Sequence, residues 1–292
     1  MKTSQSTQGI IFALISYALF VTGDSFYKYL GAMYSVYEMA FYGKLAASIL
    51  FLFYIAIKRQ KIITYFPKLQ LYRSIAFTIT SLCIYYSYKH MTLADVALLF
   101  YLCPFIIALL SRFILKEKVG THRIISIITG FTGVLIIIRP GFIEPNPAMI
   151  TMLIAIFCYS YSAILSRQMG PKEPAINFAL FPAIMTFICA IPLLGGMPKI
   201  LPATDLALMT MGGTIGGIAI LLVSVAYVKT HAVTVSILAY TDMFWALLLG
   251  YLIFGDVTND PFTILGGVII ILSGIYLIYR ENKVNKENYQ AD

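Results

Sequence analysis

The composition of the chain is that of a membrane protein. It has 292 residues, of which 60% are hydrophobic and only 12% are charged, whereas about 25% of the residues of a soluble protein are charged. The net charge of +8 would suit a nucleic-acid partner, but the basic residues lie mostly between apolar runs. The sequence therefore argues against a soluble enzyme and against a nucleic-acid-binding protein.

Ten apolar runs predict ten transmembrane helices. A span needs roughly 20 apolar residues, and two of the runs are short by this rule. Helix is expected because a lone span satisfies its backbone polar groups internally, and the ~10-residue alternating segments of a barrel are absent. The runs cover 9–30, 35–57, 74–89, 93–115, 124–138, 148–166, 175–195, 204–228, 232–254 and 262–279.

The basic residues predict the orientation of these helices. If the N-terminus is inside, sixteen Lys and Arg residues, among them Arg73 before the third run, fall on the inside, and three fall outside. Such an excess marks the cytoplasmic side. We therefore expect both termini in the cytoplasm and an external loop at 140–147.

An internal repeat relates the two halves of the chain at an offset of 139 residues. Several residues matched at this register are Tyr, Phe, Gly or acidic residues, which match by chance less often than Leu and Ile do in membrane spans. Because each half has five spans, an odd number, the second half must be inverted relative to the first, as in many secondary transporters. The predicted repeats are 1–140 and 147–280, followed by a cytoplasmic tail at 281–292. The matched pairs include Tyr88 with Tyr227, Tyr101 with Tyr240, Phe105 with Phe244, Gly31 with Gly170 and Glu117 with Asp256.

Among the charged residues within the predicted spans, four are candidates for a substrate site: Asp24, Lys28, Lys44 and Asp242. Each costs about 2.5–3.5 kcal/mol on insertion scales. A helix rise of 1.5 Å per residue puts Lys44 and Asp242 near the midplane and Asp24 roughly 10 Å below the outer surface. Lys28, one turn from that surface, has snorkelling as an alternative. A cavity lined by both signs of charge suits a zwitterionic or cationic organic solute.

Aromatic residues extend the predicted substrate site. Tyr85 and Tyr159 belong to polar stripes on the third and sixth spans, and Trp245 follows Asp242 in the ninth. Stacking or a cation–π contact would be their role, with simple packing as the alternative.

Metal, nucleotide and catalytic sites are not predicted. The four cysteines lie within spans and form no CxxC pair, and the three histidines are scattered. The stretch "GGTIGG" at 212–217 lacks the ending of a phosphate loop and is typical of close helix packing. We expect no cofactor, and a membrane enzyme would need a nucleophile–base pair or a metal cluster, neither of which is visible in the spans. An accessory membrane protein without transport activity is an alternative, but it would leave Asp24, Lys44 and Asp242 without a use.

Three stretches resemble the EamA family of the drug/metabolite transporter superfamily. They are "GDSFYKYLG" (23–31), "SVYEMAFYGKLAAS" (35–48) and 240–274, which begins "YTDMFWALLLG". One difference is Lys44, where the family usually has arginine, whose planar fork binds carboxylates in a bidentate manner. One branch of the family includes transporters of S-adenosylmethionine, and other relatives export amino acids.

The resemblance implies an all-α polytopic protein of ten helices in a 5+5 inverted repeat, in the bacterial inner membrane. Its function would be secondary transport of a small amino-acid-like or cationic metabolite, with S-adenosylmethionine as the leading candidate. Export of amino acids or drugs is the alternative. The expected partners are the solute, membrane lipid, and a proton or a counter-solute.

Overall fold

The computed structural model describes residues 5–100, 102–116, 121–138, 146–230, 235, 238–239, 241–255, 260–262, 264–269, 271–273 and 275–276. Within these residues the chain is helical and has no strand. Most of the predicted external loop at 140–147 and the whole predicted tail at 281–292 lie outside the described residues. The all-α polytopic fold is confirmed.

The helices follow the predicted spans in order. The fourth and ninth spans are each interrupted near their middle and end in a π-helical turn, at Ser111–Leu115 and Gly250–Phe254. The tenth span is represented by helical residues between 261 and 276. The helices are α1 (Gln5–Gly31), α2 (Val36–Ile57), α3 (Pro67–His90), α4 (Leu93–Phe100), α5 (Cys103–Leu110), α6 (Thr121–Ile138), α7 (Pro147–Met169), α8 (Asn177–Leu193), α9 (Ala203–Lys229) and α10 (Thr241–Leu249).

Five helical segments are long and apolar enough to cross a membrane by these two criteria alone. Other described helices are shorter or more polar, and α3 and α8 bury polar side chains such as Arg73, Asn177 and Thr186. The five segments are Thr7–Gly31, Val36–Ile57, Asp95–Leu115, Pro147–Lys172 and Ala203–Lys229.

Helix α3 corrects one prediction from the sequence. The apolar run predicted a span at 74–89, but the helix begins seven residues earlier at Pro67, a residue suited to the first helical position. Arg73 therefore belongs to the helix and is 1% exposed. Its assignment to an inside loop is wrong, because neighbouring helices satisfy its polar atoms and it need not face water.

The predicted offset of 139 residues is visible in the backbone. Helix α3 is followed by Met91 with φ −137° and ψ 158°, and α9 is followed by Thr230 with φ −136° and ψ 159°. The two π-helical turns are also 139 residues apart, and each is followed by a residue in the left-handed region, Lys116 (φ 57°) and Gly255 (φ 64°). The two halves therefore share the same local backbone conformation at matched positions, even where the residues at those positions differ.

The second repeat runs in the opposite direction to the first. Lys89 Nζ donates to the Tyr34 carbonyl, just after the end of α1, at 3.0 Å. Ser87 Oγ, on the same turn of α3, lies 3.2 Å from the carbonyl of Ala148 at the start of α7. The end of α1 and the start of its repeat partner α7 thus lie together, which confirms the inverted repeat. The cytoplasmic location of the termini stays a prediction.

The helix bundle has two ends, each formed by loops and helix termini of both repeats. We call the end that holds residues 31–36, 87–91 and 199–205 the Lys199 end. The opposite end, with residues 57–73 and 166–177, is the Arg73 end. In the predicted orientation the Arg73 end is cytoplasmic.

The repeats meet along helices that approach closely. Helix α1 packs on α9 and α3 packs on α7, as the internal symmetry requires, and α2 packs on α8 and α9. A Cβ atom on Gly213 of α9 would lie 2.0 Å from the carbonyl oxygen of Gly43 in α2. The packing interpretation of "GGTIGG" is confirmed, because a side chain at this glycine would collide with backbone.

Candidate functional site

A cavity lies between the two repeats, lined by α1, α2, α3, α4, α5, α7, α9 and α10. Five of the seven residues predicted from the sequence line it: Asp24, Lys44, Tyr85, Tyr159 and Asp242. The lining thus contains two carboxylates and one ammonium group. When all three are charged, they leave a net charge of −1 within an otherwise mostly aromatic and aliphatic wall.

Lys44 is held over aromatic rings. Helix α2 starts with a capping box in which Ser35 and Glu38 bond each other's backbone N–H groups, and Lys44 lies on its third turn. The Lys44 Nζ atom is 5.5 Å from the Phe77 ring centroid and 5.8 Å from that of Tyr85. These cation–π contacts hold the ammonium group in the cavity wall without a direct ion pair to Asp24.

Asp24 faces the same space from α1. Its carboxylate is close to the Tyr88 hydroxyl of α3 and is attracted by the Lys44 ammonium. The adjacent wall is made by Tyr27 and Tyr85, whose ring centroids are 4.4 Å apart. Asp24 is therefore provided with polar partners from the first repeat.

Asp242 has a different environment. The ninth span is interrupted before Thr241, so Asp242 lies in the first turn of α10, where the helix dipole favours a negative charge. Its backbone N–H donates to Ala239 O at 2.9 Å. Its Oδ1 atom is buried and has no hydrogen-bond partner among the described residues. Since burying a polar atom without a partner is costly, this oxygen is available to a bound cation or donor.

Tyrosines close the cavity toward the Arg73 end. Tyr17 donates to Val235 O at 2.9 Å, and the Tyr159 ring packs edge-to-face on Phe100 at 5.3 Å. Tyr227 is fully buried two residues before the end of α9. Together Tyr17, Tyr159 and Tyr227 form what we call the tyrosine floor.

Two predicted residues are not among those that line the cavity. Lys28 Nζ lies 5.0 Å from the Phe254 ring centroid, where α1 meets the π-helical turn after α10. Trp245 packs edge-to-face on Phe244, with ring centroids 5.2 Å apart. The cavity face of α10 carries Asp242 and Ala246, four residues apart, and Trp245 is rotated away from it.

Sequence analysis missed several lining residues and one buried cation. Tyr227 is one of them, and its pairing at the repeat offset with Tyr88, which belongs to the predicted stripe on the third span and also lines the cavity, was the available signal. Arg73 was missed because it precedes an apolar run, next to a predicted inside loop, and was therefore counted as a loop residue that orients the protein in the membrane. Among the described residues, no three His, Cys, Asp or Glu side chains are grouped to hold a metal ion.

Comparisons with known proteins agree on a transporter family. A model of the EamA-like transporter family matches residues 7–139 and 146–280. The chain is 27% identical over 278 residues to an S-adenosylmethionine uptake transporter of Rickettsia bellii, covering 94% of each chain. It is 24% identical over 286 residues to one of Rickettsia conorii, covering 97% of this chain and 96% of that one.

Two further similarities are more distant. The pseudopaline exporter CntI of Pseudomonas aeruginosa is 23% identical over 278 residues, which is 92% of this chain and 95% of that one. A solved crystal structure superposes with a TM-score of 0.70 at 14% identity, covering 96% of this chain and 98% of that one. The latter similarity shows the fold alone.

Proposed function

Because the chain belongs to the EamA-like transporter family, we propose that it moves a cationic or zwitterionic organic metabolite across the bacterial inner membrane by alternating access. The observation that carries this proposal is the buried Asp242 oxygen without a partner among the described residues. It lies in a cavity between inverted repeats, the usual location of a substrate site in secondary transporters.

The chemistry of the cavity favours S-adenosylmethionine as the solute. This molecule has a sulfonium and an ammonium cation, a carboxylate and a flat adenine ring. Asp242 would bind a cation, Lys44 the carboxylate, and the tyrosines would stack on the adenine or face the sulfonium. The relatives named as S-adenosylmethionine uptake transporters add support at 24–27% identity.

The proposed transport cycle uses the cavity, the tyrosine floor and the contact between the two repeats. The solute enters from the Lys199 end, passes Tyr88 and Leu93, and binds above the tyrosine floor. Its cation neutralises the excess negative charge of the cavity. Rocking of one repeat against the other along the glycine contacts of α9 then opens the Arg73 end. A ligand shifts this equilibrium only through a difference in its affinity for the two states.

The test is uptake of labelled S-adenosylmethionine into proteoliposomes, with unlabelled competitors. S-adenosylhomocysteine is the matched control, because it keeps the adenosine and amino-acid parts but lacks the methyl group and the sulfonium charge. We expect it to compete about ten-fold more weakly, since a desolvated cation–π contact contributes about 2 kcal/mol and about 1.4 kcal/mol corresponds to a factor of ten. Equal competition by the two compounds would contradict a site built for the sulfonium cation.

Export is the second candidate, supported by the similarity to the pseudopaline exporter CntI. The carboxylates of Asp24 and Asp242 and the ammonium group of Lys44 also suit an amino-acid-like zwitterion. Proteoliposomes preloaded with amino acids distinguish the two, because an exporter of this kind exchanges an amino acid and ignores S-adenosylmethionine. In either case we expect dependence on a pH gradient or a counter-solute and not on ATP.

A further inference from the structure

Arg73 is a buried cation at a contact between the two repeats. Its Nε donates to Ser166 Oγ of α7 at 2.6 Å, its Nη1 to the Phe178 carbonyl of α8 at 2.7 Å, and its Nη2 to Ser224 Oγ of α9 at 2.8 Å. All three partners are neutral, and all belong to the second repeat. A single side chain of the first repeat therefore joins three helices of the second.

Further hydrogen bonds join the repeats beside Arg73. Gln70 Nε2 donates to Asn177 O at 2.8 Å, and Asn177 Nδ2 donates to Ile63 O at 2.9 Å. Glu173 accepts the Tyr65 backbone N–H at 3.0 Å. Gln70, Asn177 and Glu173 are all buried. We call this set of bonds, together with those of Arg73, the Arg73 clasp.

The Arg73 clasp lies beside the cavity, toward its Arg73 end. Phe77, which lines the cavity, is one helical turn from Arg73 on α3, and Tyr227 of the tyrosine floor is three residues from Ser224 on α9. These bonds hold closed any passage between α3, α7 and α9 from the cavity to the Arg73 end. The clasp must therefore open for that passage.

A second set of bonds joins the repeats at the Lys199 end. Lys199 Nζ is 3.2 Å from Glu38 Oε1, and the Tyr42 hydroxyl donates to the Lys199 carbonyl. The Tyr34 hydroxyl donates to Asp205 at 2.5 Å. That bond raises the pKa of the Tyr34 phenol to about 12, so the donor stays protonated at physiological pH. We call these bonds the Lys199 clasp.

The two clasps correspond under the internal symmetry but differ in exposure. At the offset of 139 residues, Glu173 of one clasp matches Tyr34 of the other, and Asn177 matches Glu38. The corresponding hairpin of each repeat therefore makes the bonds to the opposite repeat. Lys199 is 74% exposed, whereas Arg73 is 1% exposed. Exposed ion pairs contribute little, and buried hydrogen bonds to a charged group contribute more.

We propose that the Arg73 clasp is the gate that closes the Arg73 end of the cavity, and that the Lys199 clasp is the weaker gate at the opposite end. Because the bonds of both clasps are present, the described structure is then a state in which both gates are closed. Opening remains feasible because water would solvate a guanidinium group whose three hydrogen-bond partners are all neutral. This inference rests on transport by the family and not on the identity of the solute.

Distance measurements by electron paramagnetic resonance in lipid nanodiscs test the proposal. The four native cysteines are replaced by alanine, and spin-labelled cysteines are placed at Lys61 and Lys172, both exposed at the Arg73 end and in different repeats. A second pair at Met33 and Met197 reports on the Lys199 end. The parent protein should show a predominantly short distance between Lys61 and Lys172.

The variants remove single bonds of each clasp. Ser224→Ala should raise the ratio of long to short Lys61–Lys172 distances about ten-fold, and Arg73→Gln should raise it further. Lys199→Gln should instead lengthen the Met33–Met197 distance. The matched control is Ser74→Ala, which removes a buried bond within α3, from Ser74 Oγ to Gln70 O, and should leave both distances unchanged.

Two results would overturn the proposal. One is a folded Ser224→Ala protein in which both distance distributions equal those of the parent. The other is an equal lengthening in Ser74→Ala, which would indicate general loosening of the bundle. Ser224→Ala keeps the test valid if Arg73→Gln does not fold. No transported solute is used, so this outcome is independent of the proposed substrate.

Discussion

Single residues carry the functional argument, and Asp242 carries most of it. Its repeat partner at the offset of 139 is Cys103, which also lines the cavity but is uncharged. The charge is therefore not part of the packing that both halves share. Asp24, by contrast, faces Tyr88 and Lys44 within its own repeat. Asp242 is the better candidate for direct contact with a cationic solute.

Asp242→Asn should strongly reduce transport and leave the fold intact. The change keeps the shape and removes the charge, so we expect kcat/KM of uptake to fall about 10- to 100-fold. A structural ion pair would behave differently, because loss of one partner of a buried pair destabilises a protein by roughly 3–5 kcal/mol. Uptake and thermal unfolding should be measured on the same preparation.

Asp95→Asn is the matched control for this variant. Asp95 is an acid in the first turn of α4 that accepts a bond from Thr92 Oγ1 and does not line the cavity. Its uptake should equal that of the parent protein. Retained transport in Asp242→Asn, or a loss of stability as large as that of a broken ion pair, would assign Asp242 to packing.

At the scale of helices, α9 sets how closely the repeats meet. Its glycine-rich face contacts α1 and α2, and Gly213 has no room for a side chain beside the Gly43 backbone. Helix α3 makes the complementary contact with α7 through hydroxyl groups: Thr80 donates to Ala155 O, and Ser87 lies close to Ala148 O. One interface is thus closed by small residues and the other by side-chain hydrogen bonds.

Gly213→Ala should lower thermal stability. A Cβ atom 2.0 Å from the Gly43 carbonyl oxygen forces the helices apart, and overpacking of this kind costs about 1–3 kcal/mol. Gly216→Ala on the same helix is the control, since its Cβ would meet nothing within 4 Å and alanine favours helix. The measurement is the unfolding midpoint in detergent. Equal midpoints for the two variants would argue against tight packing at Gly213.

For the whole molecule, the orientation in the membrane is the main prediction still to be tested. The structure shows that the repeats are inverted but contains no membrane. Burial of Arg73 removes one residue from the sixteen that were counted as inside loop charges, and fifteen against three is still a strong excess. The Arg73 end should therefore face the cytoplasm, and the described state should be closed on that side.

Cysteine labelling in cells tests this orientation. A cysteine placed at Lys61 should react with a membrane-impermeant maleimide only after the cells are permeabilised, because positively charged loops remain inside. A cysteine at Met197, which is 95% exposed at the Lys199 end, should react in intact cells. Labelling of the Lys61 position in intact cells would reverse the assignment of the two ends.

Local patterns in the sequence determined the class of protein, the number and order of spans, the repeat offset and its inversion. Hydropathy reports the preference of each segment for lipid, and the repeat brings matched residues such as Tyr88 and Tyr227 into one register. Asp24, Lys44 and Asp242 could be predicted to face a cavity because a charge buried within the membrane has few other favourable environments.

Only the tertiary structure decided which side chains face the cavity and which charges are satisfied elsewhere. The rotation of each helix is set by its neighbours, so Trp245 turns away from the face of Asp242, and Lys28 lies over Phe254. The hydrogen-bond partners of Arg73 are 93, 105 and 151 residues away in the chain. No local pattern encodes these contacts, because they exist only where helices from both repeats meet.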